Sequence, residues 1–195
     1  MRISVLAWGS IIWDRQNLKV LDGFKPTGPR LPLEFCRISS DGRLTLAIDE
    51  TVGTACTTYS GTSAFKNIDA AVENLREREN MPGPKGVGFT VLRPRKQSQT
   101  AVERHPAAVR AITEWIAASG FDAAIWTALA SNFAEKTSKR FSVKTAIHYL
   151  ENLDGEKLSR ALRYTRDAPA EIQTPVREAV DVRWSLGASG AVAHD

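Results

Sequence analysis

A carboxylate at the end of an amphipathic segment is the first candidate for chemistry. Apolar residues recur there at the spacing of one helical face, and they are Ile68, Ala71, Val72 and Leu75. At about 100° per residue, Glu79 returns to within about 20° of that face, whereas Glu77 lies about 180° away. Burial of a carboxyl group raises its pKa, which suits a general acid or base. Glu79 is therefore a candidate catalytic residue, and an ion pair with Arg76 or another arginine is the structural alternative.

A glycine-containing loop near the start of the chain is the second candidate. Residues 7–14 read A-W-G-S-I-I-W-D and follow a strand-like run. A glycine at the end of a strand allows successive backbone N–H groups to converge on one point, where they bind an anion or an oxyanion. Ser10 adds a hydroxyl group beside them. An ordinary turn is the alternative interpretation, since Gly-Ser pairs are common in turns.

The elements that position these residues mix strands and helices. Alternating or β-rich runs predict strands at residues 2–7, 31–35, 44–48, 55–59 and 87–92; residues 123–129 are ambiguous, and Ile125, Trp126 and Thr127 favour a strand there. Helical periodicity and capping residues predict helices at 68–79, from Pro106 to Gly120, after Ser142, after Asp154 and from Pro175. With no internal repeat and no clear linker, one α+β domain is the simplest prediction. Residues 187–195 are predicted to form a flexible tail.

The charge of the chain is concentrated in one segment. The 195 residues carry a net charge of +4, with 43% hydrophobic and 25% charged residues, which excludes a disordered chain. Residues 85–110 alone carry +5, so the remainder is close to neutral. We expect a solvated connecting loop there; attraction of an anionic small molecule or a weak nucleic-acid contact is the alternative. A nucleic-acid partner is not expected from one local patch.

The cysteines and apolar runs indicate a cytoplasmic protein. Cys36 and Cys56 have neither the number nor the spacing of a disulfide framework or a zinc site, so we expect buried, reduced thiols. Residues 3–13 are interrupted by Gly9 and Ser10 and lack a cleavage site, which argues against a signal peptide. No apolar run approaches the length of about 20 residues that spans a bilayer, so no membrane partner is expected.

The loop and the helix together resemble the gamma-glutamylcyclotransferase superfamily, most closely its ChaC-like branch. Residues 7–14 are similar to the Y-G-S-L-I-W loop that follows the first strand of that branch. Residues 35–41 are similar to its next block, F-C/W-x-G-S-x-D, but are shorter and lack the glycine. Residues 75–79, L-R-E-R-E, resemble the family helix that ends in L-x-x-R-E. The resemblance covers about residues 3–93.

This resemblance implies a fold and a set of site residues. The fold is a small mixed β-barrel with packed helices, as one domain over residues 1–186 with its core in 1–93 and a mainly helical extension in 104–186. The family's catalytic acid/base corresponds to Glu79. The substrate-binding loop corresponds to four residues, which are Trp8, Gly9, Ser10 and Ile11. Three positions depart from the family pattern: Trp8 and Phe89 replace tyrosines, and Asn80 replaces a glycine.

The resemblance also implies a reaction. A gamma-glutamyl amide would cyclise to 5-oxoproline and release an amine or peptide, and no metal or organic cofactor is implied. Glu79 would move the proton, and the N–H groups of Gly9, Ser10 and Ile11 would bind the oxyanion or the substrate carboxylate. The sequence does not choose among gamma-glutamyl compounds, and it gives no oligomeric state.

Two other functions are consistent with parts of the sequence. A binding module of the same fold would hold a small amino-acid-like ligand, with Glu79 only in a salt bridge. A serine hydrolase would use Ser10 as nucleophile and needs a histidine base. The three histidines are His105, His148 and His194, and none belongs to a recognisable catalytic motif.

Overall fold

The structure, a computed structural model, describes residues 1–185, so the tail predicted at 187–195 lies outside the described residues. The strands are β1 (Ile3–Ala7), β2 (Arg30–Ile38), β3 (Leu44–Ile48), β4 (Thr54–Thr57), β5 (Tyr59–Thr62), β6 (Val87–Val91), β7 (Lys96–Gln97) and β8 (Ala123–Thr127). The helices are α1 (Ile68–Arg78), α2 (Gln99–Arg104), α3 (Pro106–Ser119), α4 (Phe133–Thr137), α5 (Val143–Glu151), α6 (Gly155–Asp167) and α7 (Pro175–Ser185), and a 3₁₀ turn spans Pro84–Gly86.

The strands form two open sheets. A five-stranded sheet has the order β5-β1-β8-β6-β7, in which β1 and β8 are parallel and the other pairs are antiparallel. A three-stranded antiparallel sheet has the order β3-β2-β4. The α+β class predicted from the sequence is confirmed. Within residues 1–185 neither sheet closes on itself, because β5 does not pair with β7 and β3 does not pair with β4, so the expected β-barrel is not supported.

Both faces of the five-stranded sheet are buried. Ile3 and Val5 of β1 lie in one core with α1, whereas Leu6 lies in a second core on the opposite face. In β8, Ile125 and Trp126 divide between the two cores in the same way. A strand that is covered on both faces reads as a continuous apolar run, as β1 and β8 do. α1 therefore covers one face of the five-stranded sheet, and the three-stranded sheet and the later helices cover the other, without closure of a barrel.

Local sequence signals set the helix boundaries as predicted. The side chain of Asn67 accepts hydrogen bonds from the N–H groups of Asp69 and Ala70 and so begins α1. Gly120 ends α3 with φ of 74°, a left-handed conformation that glycine adopts readily. Ser142 and Asp154 cap α5 and α6 through their side chains, as expected.

The second half of the chain is part of the central architecture. β8 lies between β1 and β6, so the segment predicted as a helical extension also supplies a central strand. The basic residues 85–110 contain β6, β7, α2 and the start of α3, so the connecting loop expected there is wrong. Their six basic side chains are nevertheless all exposed. Cys36 and Cys56 are both buried and free, and no helix in residues 1–185 is long and apolar enough to cross a bilayer.

A buried carboxylate joins α7 to the three-stranded sheet. Glu34 of β2 is 1% exposed. Its Oε1 accepts from the N–H of Phe35 at 2.7 Å and its Oε2 accepts from the N–H of Val176, in the first turn of α7, at 3.4 Å. Burial raises the pKa of Glu34, while hydrogen bonds from Thr174, Phe35 and Val176 partly oppose that shift. The carboxyl group of Glu34 therefore lies at a helix N-terminus, where the helix dipole favours its charged form and opposes the effect of burial.

Glu34→Gln is expected to flatten the pH dependence of stability. A carboxyl group with a pKa raised by folding contributes stability at low pH that is lost as the pH rises through its folded pKa. Gln cannot titrate, so the variant should gain stability relative to wild type as the pH rises above about 4.5, by up to about 1.4 kcal/mol per pH unit. Urea unfolding from pH 4.5 to 8 measures this difference. Glu178→Gln, at an exposed site of α7, is the control, and a Glu34→Gln profile parallel to wild type would contradict the expectation.

Candidate functional site

The residues predicted to do chemistry line one cavity. Its volume is about 510 Å³, and it lies where the loop after β1, the end of α1, the β2–β3 hairpin and α6 meet. The predicted residues in its lining are Trp8, Gly9, Ser10, Ile11 and Glu79. Trp8 and Ile11 are buried, and the other three are partly exposed. The structure therefore brings together two sequence segments that are about 70 residues apart.

The end of α1 directs Glu79 to this cavity. The N–H of Glu79 donates to the carbonyl of Leu75, and Glu79 is the residue at which the helix ends. Asn80 then adopts φ of 50°, the left-handed region in which glycine and asparagine are the usual residues. Asparagine thus allows the chain to reverse direction at this position. The N–H of Met81 donates to Arg76 O at 3.0 Å and completes the turn.

Arg78 connects the helix end to the loop. Its side chain is only 6% exposed, and its Nη1 lies 2.6 Å from Glu79 Oε1. Its Nη2 donates to Ser10 Oγ at 3.3 Å and also to the carbonyl oxygen of Asp14. The buried Nε has no acceptor among the described residues. The helical periodicity of α1 did not predict a role for Arg78, because an arginine at the edge of an apolar helical face is normally exposed to solvent.

The environment of Glu79 differs from the expected apolar one. Its side chain is 20% exposed and forms an ion pair with Arg78, the type of contact that was the structural alternative. Arg76, which was named as a partner for Glu79, instead pairs with Glu73 at 2.7 Å. In residues 1–185 no hydrogen bond engages Glu79 Oε2. One carboxylate oxygen is therefore fixed by Arg78, and the other has no hydrogen-bond partner among the described residues.

The loop after β1 is held by its own backbone. The N–H of Ile12 donates to Gly9 O at 3.0 Å, and the N–H of Asp14 donates to Ser10 O at 2.7 Å. The N–H groups of Gly9, Ser10 and Ile11 donate to no carbonyl within the described residues. Of these donors, the N–H groups of Gly9 and Ile11 are the ones left for an anion or oxyanion, because the N–H of Ser10 acts on the Tyr164 hydroxyl.

Tyr164 is a lining residue that the sequence did not reveal. It belongs to α6, and its hydroxyl lies against Gly9, where an added Cβ would be only 2.5 Å from the Tyr164 oxygen. Gly9 does not have a positive φ, so this close approach, and not backbone conformation, requires glycine there. Burial raises the pKa of Tyr164 to about 12, although the N–H groups of Leu46 and Ser10 lower it. The helical periodicity predicts that Tyr164 lies on the same buried face of α6 as Ala161, but it does not predict which cavity the side chain lines.

The lining is basic overall. Arg37 and Arg43 of the hairpin join Arg78 in it, and Glu79 is its only carboxylate among the described residues. Arg43 is 2.8 Å from Asp41, which is outside the lining. Burial lowers the pKa of Arg37, and the nearby Arg104 adds to this effect; Arg37 donates to Ala130 O at 2.6 Å.

Other chemistry receives no support from the described residues. Neither His105 nor His148 lines the cavity, so neither stands next to Ser10 as a base for a serine hydrolase. Within residues 1–185, no three His, Cys, Asp or Glu side chains are grouped as metal ligands would be. Comparison of the chain with protein families, with curated proteins and with solved structures found no match.

Gly9→Ala is expected to destabilise the protein through Tyr164. Because the new methyl group would overlap the Tyr164 hydroxyl, the free energy of unfolding should fall by about 1–3 kcal/mol. In the Tyr164→Phe background the nearest remaining atom is Cζ at 3.6 Å, so most of that loss should disappear. Urea unfolding of the four proteins of the cycle measures this coupling.

Gly83→Ala is the matched control, since nothing lies within 4 Å of a Cβ added at Gly83 and its φ of −167° is extended. It should change stability by less than about 0.5 kcal/mol. Equal losses from Gly9→Ala with and without the Tyr164 hydroxyl would show that the two residues are not coupled.

Proposed function

We propose that this protein is a gamma-glutamylcyclotransferase-like enzyme, related to the ChaC-like branch, which converts a gamma-glutamyl amide to 5-oxoproline and releases an amine or peptide. The observation that carries this proposal is the meeting of the residue 8–11 loop and Glu79 in one cavity, joined by Arg78. The two segments resemble the loop and the catalytic helix of one family, and they are far apart in the chain. Their position in the same cavity is therefore not a consequence of the sequence spacing and supports the proposal.

The reaction is an intramolecular aminolysis. The α-amine of the gamma-glutamyl group attacks its own side-chain carbonyl carbon, a C–N bond forms, and the amide C–N bond to the leaving amine breaks. Glu79 takes a proton from the attacking amine and delivers it to the leaving amine, so no net proton or water is consumed. Oε2 is the oxygen suited to this exchange, since Oε1 is held by Arg78.

The cavity supplies orientation and charge. A curled substrate brings its amine and carbonyl together, and this orientation provides a large part of the rate enhancement. The N–H groups of Gly9 and Ile11 donate to no carbonyl among the described residues, and in the proposed reaction they stabilise the oxyanion that develops on the carbonyl oxygen. Arg37 has no carboxylate partner among the described residues, whereas Arg43 and Arg78 are paired, and this cation favours a substrate that carries carboxylate groups, as a gamma-glutamyl compound does.

The size of the cavity and the state of the thiols fit this proposal. A volume of about 510 Å³ falls within the usual range of about 300–1,000 Å³ for small-molecule sites. Cys36 and Cys56 are free thiols, as expected in the reducing cytoplasm, where we place the reaction.

A binding module of the same architecture is the second candidate. The observation that favours it is the Arg78–Glu79 ion pair, because a structural role for Glu79 would produce the same contact. In that case the cavity would hold a small amino-acid-like ligand without turnover, and calorimetry with amino acids and gamma-glutamyl compounds would detect the binding.

Glu79→Gln is expected to lower kcat by about 10²–10⁴-fold while the protein remains folded. Gln has nearly the same shape as Glu but cannot carry the proton. The measurement is release of 5-oxoproline from a panel of gamma-glutamyl peptides and amines, with circular dichroism as the folding check. The matched control is Glu77→Gln, which removes an exposed carboxylate from the same helix and should retain wild-type turnover.

Three outcomes separate the candidates. Loss of turnover in Glu79→Gln alone supports the enzyme and names its substrate class. Equal turnover in wild type and Glu79→Gln contradicts the role of Glu79. No turnover by wild type on any panel member contradicts the enzyme and leaves the binding module.

A further inference from the structure

The ring of Tyr164 is fixed by neighbours from three elements. The Phe35 ring meets it edge-on with centroids 6.1 Å apart, and the Trp13 ring lies at 5.7 Å. The Arg43 guanidinium carbon lies 5.3 Å from the ring centroid. A ring held in this way keeps its hydroxyl in one position, which is the property required of a preorganised hydrogen-bond donor.

The hydroxyl of Tyr164 has donors around it. The backbone N–H groups of Leu46 and Ser10 act on this hydroxyl as hydrogen-bond donors and so lower its pKa. An N–H group can engage only the lone pairs of a hydroxyl oxygen, so neither neighbour accepts the hydroxyl proton. Both of these hydrogen-bonding neighbours in the described part of the chain are therefore donors, and the proton is left for an acceptor in the cavity.

Tyr164 stays protonated at neutral pH. Burial raises its pKa to about 12, and the negative charge of Glu79 acts in the same direction. A phenol in this state donates a hydrogen bond and does not act as a base. The position of the hydroxyl against Gly9 places this donor next to a loop whose Gly9 and Ile11 N–H groups donate to no carbonyl among the described residues.

We propose that the Tyr164 hydroxyl donates a hydrogen bond to the carbonyl oxygen of the bound ligand. This inference rests on the proposed function, in which that oxygen is the one that becomes the oxyanion. Tyr164 keeps its proton throughout; the hydrogen bond strengthens as negative charge develops on the carbonyl oxygen. Residues 8–11 and α6 thus form the two sides of one oxyanion site.

Tyr164→Phe tests this role, because the ring is retained and only the hydroxyl is removed. We expect kcat for 5-oxoproline release to fall by about 10²–10³-fold, as when one oxyanion donor is removed, with KM changed only a few-fold. The control is Tyr59→Phe, whose hydroxyl donates to Glu171 at 2.6 Å outside the cavity lining, and it should keep wild-type kcat. A hydroxyl that only packs against Gly9 would leave kcat unchanged in Tyr164→Phe.

A second measurement does not need turnover. 5-Oxoproline carries a ring carbonyl of the type that Tyr164 would contact, and its affinity is measured by calorimetry. Tyr164→Phe should bind it about tenfold more weakly than wild type, the value of one good hydrogen bond. Equal affinity in the two proteins, or no binding by wild type, would overturn the proposal.

The two measurements separate this inference from the proposed function. Turnover by wild type that Tyr164→Phe leaves unchanged would overturn the role of Tyr164 and retain the enzyme. Binding of 5-oxoproline that depends on Tyr164, without turnover of any gamma-glutamyl compound by wild type, would overturn the enzyme and retain the hydrogen bond.

Discussion

The buried guanidinium of Arg78 is the constraint on which the site depends. A buried charge is stable only with partners, and removal of one partner typically costs about 3–5 kcal/mol. Arg78 finds its partners in Glu79, Ser10 and the carbonyl of Asp14. Because these groups belong to the helix end and to the loop after β1, Arg78 fixes the two segments against each other. The carboxylate and the loop N–H groups acquire their relative position from this contact.

The rest of the fold supports that contact from both faces of one sheet. β1 delivers the loop, and α1, packed on the same sheet, delivers Arg78 and Glu79. On the opposite face the three-stranded sheet and the later helices share a core, and from it α6 delivers Tyr164. The site therefore needs the segment beyond residue 104, although the family resemblance ends near residue 93. Glu34 ties α7 to β2 on the same side, which couples that segment to the hairpin that carries Arg37 and Arg43.

Local sequence signals predicted the helices and strands, but they did not predict the contacts between distant parts of the chain. Asn67 and the apolar stripe were sufficient for α1, and Gly120 for the end of α3, because caps and periodicity act within one or two turns. Closure of a barrel depends on pairing between distant strands, and the resemblance predicted it where two open sheets occur. Arg78 and Tyr164 were missed for the same reason: only the assembled structure shows that a guanidinium and a phenol from distant helices face one loop.

The most direct test of the site is a crystal structure of the protein with 5-oxoproline bound. The ring N–H of this product should lie within hydrogen-bond distance of the Glu79 carboxylate, and its ring carbonyl should face the N–H groups of Gly9 and Ile11. Its carboxylate should lie near the arginines of the cavity. Product bound away from Glu79 and the loop would contradict the proposed chemistry.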